Sequence, residues 1–141
     1  FGMLLATMAI ARDWGQVRGM LAPWLQSRHD VDAVRAFFED DYKSVLKGVA
    51  IDEIHYPSIP YVSGNTSGLA YLREQPSFKP SPRPIPPQVT EENFRQWMNI
   101  QLQCSDEQQN ELDLDFLTDI WLVVVEINEG LRVGYWSHDP Y

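Results

Sequence analysis

The chemistry this chain could perform centres on Glu126, which follows the unbroken apolar run Ile120-Trp121-Leu122-Val123-Val124-Val125. A carboxylate on a buried strand face loses hydration, its charged form is disfavoured, and it becomes a candidate proton-transfer group. Asp119, Tyr135 and His138 lie on the same stretch and are the other side chains there able to exchange protons. Glu126, Asp119, Tyr135 and His138 are therefore the candidate catalytic residues. Trp121, Glu126, Arg132 and Trp136 form the candidate ligand-binding set, with two indoles as apolar platforms and two charges as polar anchors. Counting outward from Asn128-Glu129-Gly130 places Glu126 opposite Arg132. That pair has an equally simple structural use as a cross-strand salt bridge. On this count Glu126 shares a strand face with Leu122 and Val124, and its pKa is expected to rise if that face lines a cavity.

Other clusters carry less. Glu39-Asp40-Asp41 falls on a predicted helix, where consecutive side chains diverge, so a shared carboxylate site is not expected. Ser137-His138-Asp139 falls on an extended segment whose neighbours face opposite ways, which does not form a triad. Asp106, Glu111, Asp113 and Asp115 lack the order of an EF-hand loop and read as a solvated connection. His29, His55 and His138 are scattered, and Glu53 with His55 reads as the polar face of a strand over 49–56. No phosphate-cradling glycine loop, His-Glu-x-x-His helix or nucleophile elbow occurs. Cys104 is the sole cysteine, so these residues hold no internal disulfide and no cysteine-based zinc site. On a strand it reads as a small core residue. No metal site and no cofactor are expected.

The net charge of −9 argues against a nucleic-acid partner and against an anionic membrane surface, both of which need a basic face. No apolar run is long enough to span a membrane, and the expectation is a soluble protein, cytoplasmic in preference to secreted. Phe1-Gly2-Met3 is an unusual opening, with Met3 as a candidate initiator. The chain length of 141 residues suits one domain with a substantial core. A small-molecule ligand, a protein partner and a homodimer all remain open.

The elements that must hold these groups follow from periodicity. Residues 3–25 read as an interrupted helix, with Asp13 opening a new turn in Asp13-Trp14-Gly15-Gln16 and Pro23 forcing a kink or restart. Asp30 caps a second helix to about Lys47, its buried face built on Val31, Val34, Phe37, Phe38, Val45 and Leu46, with Gly48 as the C-cap. Residues 61–93 show little regular pattern: Ser63-Gly64-Asn65-Thr66-Ser67-Gly68 reads as a turn, Leu69, Tyr71 and Leu72 as a short strand or a helical turn, and Pro76 to about residue 93 as a proline-rich loop outside the core, open to an aromatic groove on a partner. Phe94–Cys104 alternates, with Met98, Ile100, Leu102 and Cys104 against Asn99, Gln101 and Gln103, and predicts a strand buried on one face. Leu117–His138 predicts a long hairpin around Asn128-Glu129-Gly130, its first arm apolar on both faces and so central or doubly covered. The expected core is Phe37, Phe38, Leu46, Ile100, Leu102, Trp121, Val123 and Val125. The expected class is α+β, with N-terminal helices packed on a curved, mainly antiparallel β-sheet.

Residues 11–48 resemble the helical opening of the nuclear transport factor 2-like superfamily. The likeness lies in the Arg12-Asp13-Trp14 start, the Leu21-Ala22-Pro23 interruption, the Asp30-capped helix and the closing Gly48. Residues 121–136 are similar to that superfamily's last hairpin. The resemblance implies a cone in which an antiparallel sheet wraps against helices, with a pocket at the open end. Among its members are ketosteroid-isomerase-like and dehydratase-like enzymes and many non-catalytic binding domains, and no subfamily's catalytic residues match here. A large aromatic inventory without a convergent catalytic set favours a non-enzymatic binding module. An isomerase- or dehydratase-like enzyme is the first alternative, and an accessory domain recognised through its proline-rich segment the second.

Overall fold

The computed structural model describes residues 1–45, 53–56, 60–65, 68–74, 85–112, 118–128 and 130–138. Its elements are α1 (Gly2–Ile10), α2 (Trp14–Gly19), α3 (Pro23–Gln26), α4 (Val31–Val45), β1 (Tyr61–Asn65), α5 (Leu69–Glu74), β2 (Phe94–Leu102), α6 (Asp106–Leu112), β3 (Thr118–Ile127) and β4 (Gly130–His138). The four strands make one antiparallel sheet in the order β1-β2-β3-β4. The class is α+β, with N-terminal helices packed against an open sheet.

Local chemistry sets the helix starts. The Asp13 carboxylate accepts from the Gln16 backbone N–H, which gives α2 its N-cap. Pro23 stands at the first turn of α3, where its missing N–H costs nothing. Asp30 accepts from the Ala33 N–H at 2.8 Å and starts α4. The end of that helix beyond Val45, with Leu46 and the Gly48 cap, lies outside the described residues.

Both faces of the sheet are covered, as the doubly apolar β3 implies. On one face Met98, Ile100, Leu102, Ile120, Leu122 and Val124 pack against Leu5, Val17, Val34 and the fully buried Phe38 of α1, α2 and α4. On the other, Trp97, Val123, Val125 and Tyr135 pack against Leu69 and Leu72 of α5 and against Ala22, Ile85 and Val89. Burying each such side chain stabilises by about 1.5 to 3 kcal/mol. Phe37 and Trp121 are only partly buried at the margins of these two clusters, and Val31, expected on the buried face of α4, is exposed at the helix's first turn.

Four expectations are corrected here. The segment 53–56 is not a strand: Glu53 is helical, and His55 is tied through its backbone to α6, donating to Gln108 Oε1 at 2.7 Å and accepting from Ser105 N at 2.6 Å. Residues 61–65, expected as irregular chain and a turn, form β1. The acidic connection contains a helix, because Asp106 and Glu107 stand in its first turn where the helix dipole favours them. Finally, the described end of the proline-rich segment belongs to the core: Ile85 and Val89 are buried, and the Val89 carbonyl accepts from Arg73 Nη2 at 2.9 Å. Residues 75–84 lie outside the described residues.

Register supplies the rest. Gly130 has φ +107°, a conformation that a side chain would strain, and it pairs directly with Ile127. The hairpin loop is therefore one residue shorter than the count from Asn128-Glu129-Gly130 assumed. Glu126 faces Leu131, and Arg132 faces Val125. Two bulges follow. Arg95 is extra on β2, between Phe94↔Val125 and Gln96↔Val124, and Gly134 is extra on β4, between Val124↔Val133 and Val123↔Tyr135.

Candidate functional site

β4 is an edge strand, and its outer side is covered unevenly. The Met20–Ala22 segment docks along its first half: Val133 N donates to Met20 O and Ala22 N donates to Val133 O, each at 2.8 Å. Trp24 Nε1 then donates to the Gly134 carbonyl at 2.8 Å. From Tyr135 onward the cover stops, and a cavity of about 590 Å³ opens against Tyr135, Trp136, Ser137 and His138. Its other walls are Leu25, Arg28, His29, Phe37, Pro86 and Pro87. The volume is in the range typical of small-molecule sites.

The aromatic wall is ordered by stacking. Phe37 lies parallel to Trp136, with centroids 4.2 Å apart and planes 6° apart, and also stacks on His138 at 4.2 Å. His29 meets Trp136 edge-on at 5.9 Å, and Phe38 does so from the core side at 5.8 Å. Such offset and edge contacts follow the ring quadrupoles and add to the apolar burial. Trp136 is buried, and its Nε1 makes no hydrogen bond among the described residues, so an unused donor sits beside the cavity.

The turn carrying Arg28 and His29 is pinned from three directions. Arg18 Nε donates to the His29 carbonyl at 2.8 Å and Arg18 Nη2 to the Gln26 carbonyl at 3.1 Å. Gln26 Nε2 returns bonds to the carbonyls of Leu21 and Arg18. His29 Nδ1 lies 3.0 Å from the Leu25 carbonyl; a carbonyl only accepts, so the proton is on Nδ1 and Nε2 is left for another partner.

The structure gathers three of the seven sequence-derived candidates here: Tyr135, Trp136 and His138 line the cavity. The other four lie elsewhere. Glu126 is exposed at the hairpin turn and forms an ion pair with Arg95 at 2.8 Å. It lies at the end of the helix-facing row, past the cover that α1, α2 and α4 give Val124, so the expected buried carboxylate opposite Arg132 is not there. Arg132 is half-buried and donates to the Leu131 carbonyl. Asp119 lies on the β3 face of Trp121, accepting from Asn99 Nδ2 and from Gln101 Nε2. Trp121 packs against Trp97, with centroids 4.9 Å apart, and does not line the cavity. Cys104 is buried, and burial pushes its thiol above the ordinary value, which suits a core residue and not a nucleophile.

Leu25, Arg28, His29, Phe37, Pro86, Pro87 and Ser137 complete the cavity and were not foreseen as a site. His29 was visible only as one of three scattered histidines, and no local signal ties it to Trp136, which is more than a hundred residues later. Among the described residues no cluster of three or more metal-ligating side chains occurs, and no helix is long and apolar enough to cross a membrane. No family model, curated protein or solved structure matches this chain. The cavity's own geometry therefore carries the functional reading.

Proposed function

We propose that this protein is a non-enzymatic binding module that holds a small, flat, largely apolar molecule in the cavity beside the free end of β4. The observation that carries the reading is the stacked wall of Phe37, Trp136 and His138 facing Pro86 and Pro87 across a cavity of small-molecule size. Flat apolar ligands stack on such rings and gain from displacing water there. A cavity beside a sheet packed on helices is in keeping with the binding domains among the nuclear transport factor 2-like proteins that the sequence resembles.

The isomerase- or dehydratase-like alternative draws on one observation, that Tyr135 and His138 both line the cavity. Neither candidate carboxylate joins them: Glu126 is at the opposite end of the hairpin, and Asp119 is held by amides on the β2–β3 surface. Among the described lining residues no carboxylate is placed to abstract a proton, and the stacked aromatic wall makes binding the better-supported reading.

The test is titration with N-phenyl-1-naphthylamine, a flat uncharged probe whose fluorescence rises in apolar surroundings. Saturable binding with one site is expected, and Ser137→Phe, which fills the cavity from its half-exposed margin, abolishes it while leaving the circular dichroism unchanged. Binding that is absent, or that survives the cavity-filling change, refutes the proposal.

A further inference from the structure

We infer that the cavity's natural ligand is an acid: a flat, mainly apolar molecule carrying one anionic group, received by Arg28 with His29 and His138. This rests on the binding reading above and names the class of ligand.

The charge distribution is the first observation. The chain has 20 acidic and 11 basic residues, yet among the described residues lining the cavity there is no Asp or Glu. Arg28 and two of the three histidines are there instead. A concave site with low-dielectric walls and donors of one sign concentrates the opposite charge. On an acidic protein such a site stands out against its own surface.

The second observation is that Arg28 is uncommitted while its counterparts are spoken for. Arg18 donates to the carbonyls of Gln26 and His29, and Arg73 to that of Val89. Arg35 pairs with Asp32 and Glu39, Arg95 pairs with Glu126, and Arg132 donates to the Leu131 carbonyl. Arg12 lies over the Tyr56 ring. Among the arginines of the described residues, Arg28 is the one whose guanidinium has no hydrogen bond, ion pair or ring contact. A guanidinium offers a planar fork of donors that matches a carboxylate or sulfonate.

The third is preorganisation. Arg28 and His29 sit on a turn whose carbonyls are held by Arg18, and the His29 ring is oriented by the Leu25 carbonyl, so that Nε2 donates to an anion when the ring carries its second proton. The turn backbone and the His29 ring are ordered before a ligand arrives, while the exposed Arg28 side chain is ordered by the ligand it pairs with. An acid therefore places its ring system on Phe37 and Trp136, and its charge at the Arg28–His29 side.

Two probes with one ring framework separate the claims: 1-anilinonaphthalene-8-sulfonate carries an anion, and N-phenyl-1-naphthylamine does not. The sulfonate is expected to bind more tightly to the whole chain, and more weakly as ionic strength rises. Arg28→Gln is expected to weaken the sulfonate by about fivefold, the scale of a partly solvated ion pair, and the neutral probe by less than about twofold. Arg28→Lys restores part of the loss, and Ser137→Phe removes binding of both. Equal affinity for the two probes, indifferent to Arg28→Gln, overturns the acid while leaving the binding module standing. Sulfonate binding that survives Ser137→Phe overturns it too, by placing the anion elsewhere. If neither probe binds the unaltered protein, both readings fall together.

Discussion

The two ends of the β3–β4 hairpin are built from the same kinds of residue and come to opposite uses. At the turn end Glu126, Leu131 and Arg132 combine a carboxylate, an aliphatic side chain and a cation, and they stay exposed or half-exposed. At the far end Trp136, Ser137 and His138 sit under α4 and the turn after α3, and a cavity forms. The difference is what lies above each. Helices α1, α2 and α4 cover the sheet from Leu102 to Val124, and Phe37 and Phe38 extend that cover to the last residues of β4. Among the described residues no helix covers Glu126, whose partner Arg95 is itself exposed. A charged or polar side chain gains functional leverage from partial desolvation, and only one end of this hairpin provides it.

The largest effect expected comes from loosening the covered end. Phe38 is fully buried between Trp14, Phe37 and Trp136. Phe38→Ala should lower unfolding free energy in urea by about 3 to 4 kcal/mol, the usual cost of a large-to-small core change. A loss below about 1 kcal/mol would show that this core does not support the cavity end, and the contrast between the two ends would lose its basis.

Gly134, between the two ends, should be next. A Cβ there would stand 2.7 Å from Val125 Cγ1 and 3.1 Å from Val89 Cγ2. Both neighbours are short branched side chains with little freedom to withdraw. Gly134→Ala should destabilise by about 1 to 3 kcal/mol, as overpacking does, with amide shifts concentrated in Val133–Trp136. A neutral outcome with unshifted amides would mean that the bulge adapts freely and does not fix where the cavity begins.

The smallest effect belongs to the residue that looked most functional. With side chains 44% and 53% exposed, Arg95 and Glu126 form a solvated pair. Glu126→Gln should change stability by less than about 1 kcal/mol, and the difference should fade in added salt. Binding of either naphthalene probe should be unaltered. Loss of binding in this variant would return the turn end to consideration as a site.

Much of the framework was written in local sequence. The alternation of Met98, Ile100 and Leu102 marked β2 and its helix-facing side, but the opposite side, expected to be polar, is covered as well: Trp97 and Asn99 are buried, and the strand ends at Leu102, before Cys104. Asp30, Pro23 and Gly130 each act on backbone groups within a few residues, so their roles as cap, helix start and turn glycine were legible. The doubly apolar β3 foretold a central strand with cover on both faces. The short α6 and the strand β1 were not legible, and α5 was legible only as a short strand or a helical turn, because each is held by distant partners: β1 by β2, α5 by the second core, α6 by bonds to Glu53 and His55.

The site depended on tertiary structure for a further reason. Strand parity assigns side chains to faces only while the register is unbroken. The extra residue Gly134 reverses parity part-way along β4, so Val133 and Trp136 share the helix-covered face, and the Arg132–Trp136 pairing implied by simple alternation fails. The loop, one residue shorter than assumed, likewise moved Arg132 away from Glu126. The sequence by itself determined an α+β chain with its aromatic and proton-exchanging residues concentrated on the last two strands. Only the fold decided which of them meet, because Arg28, His29 and Phe37 reach Trp136 through the packing of α3 and α4 on an edge strand, a contact that no local pattern encodes.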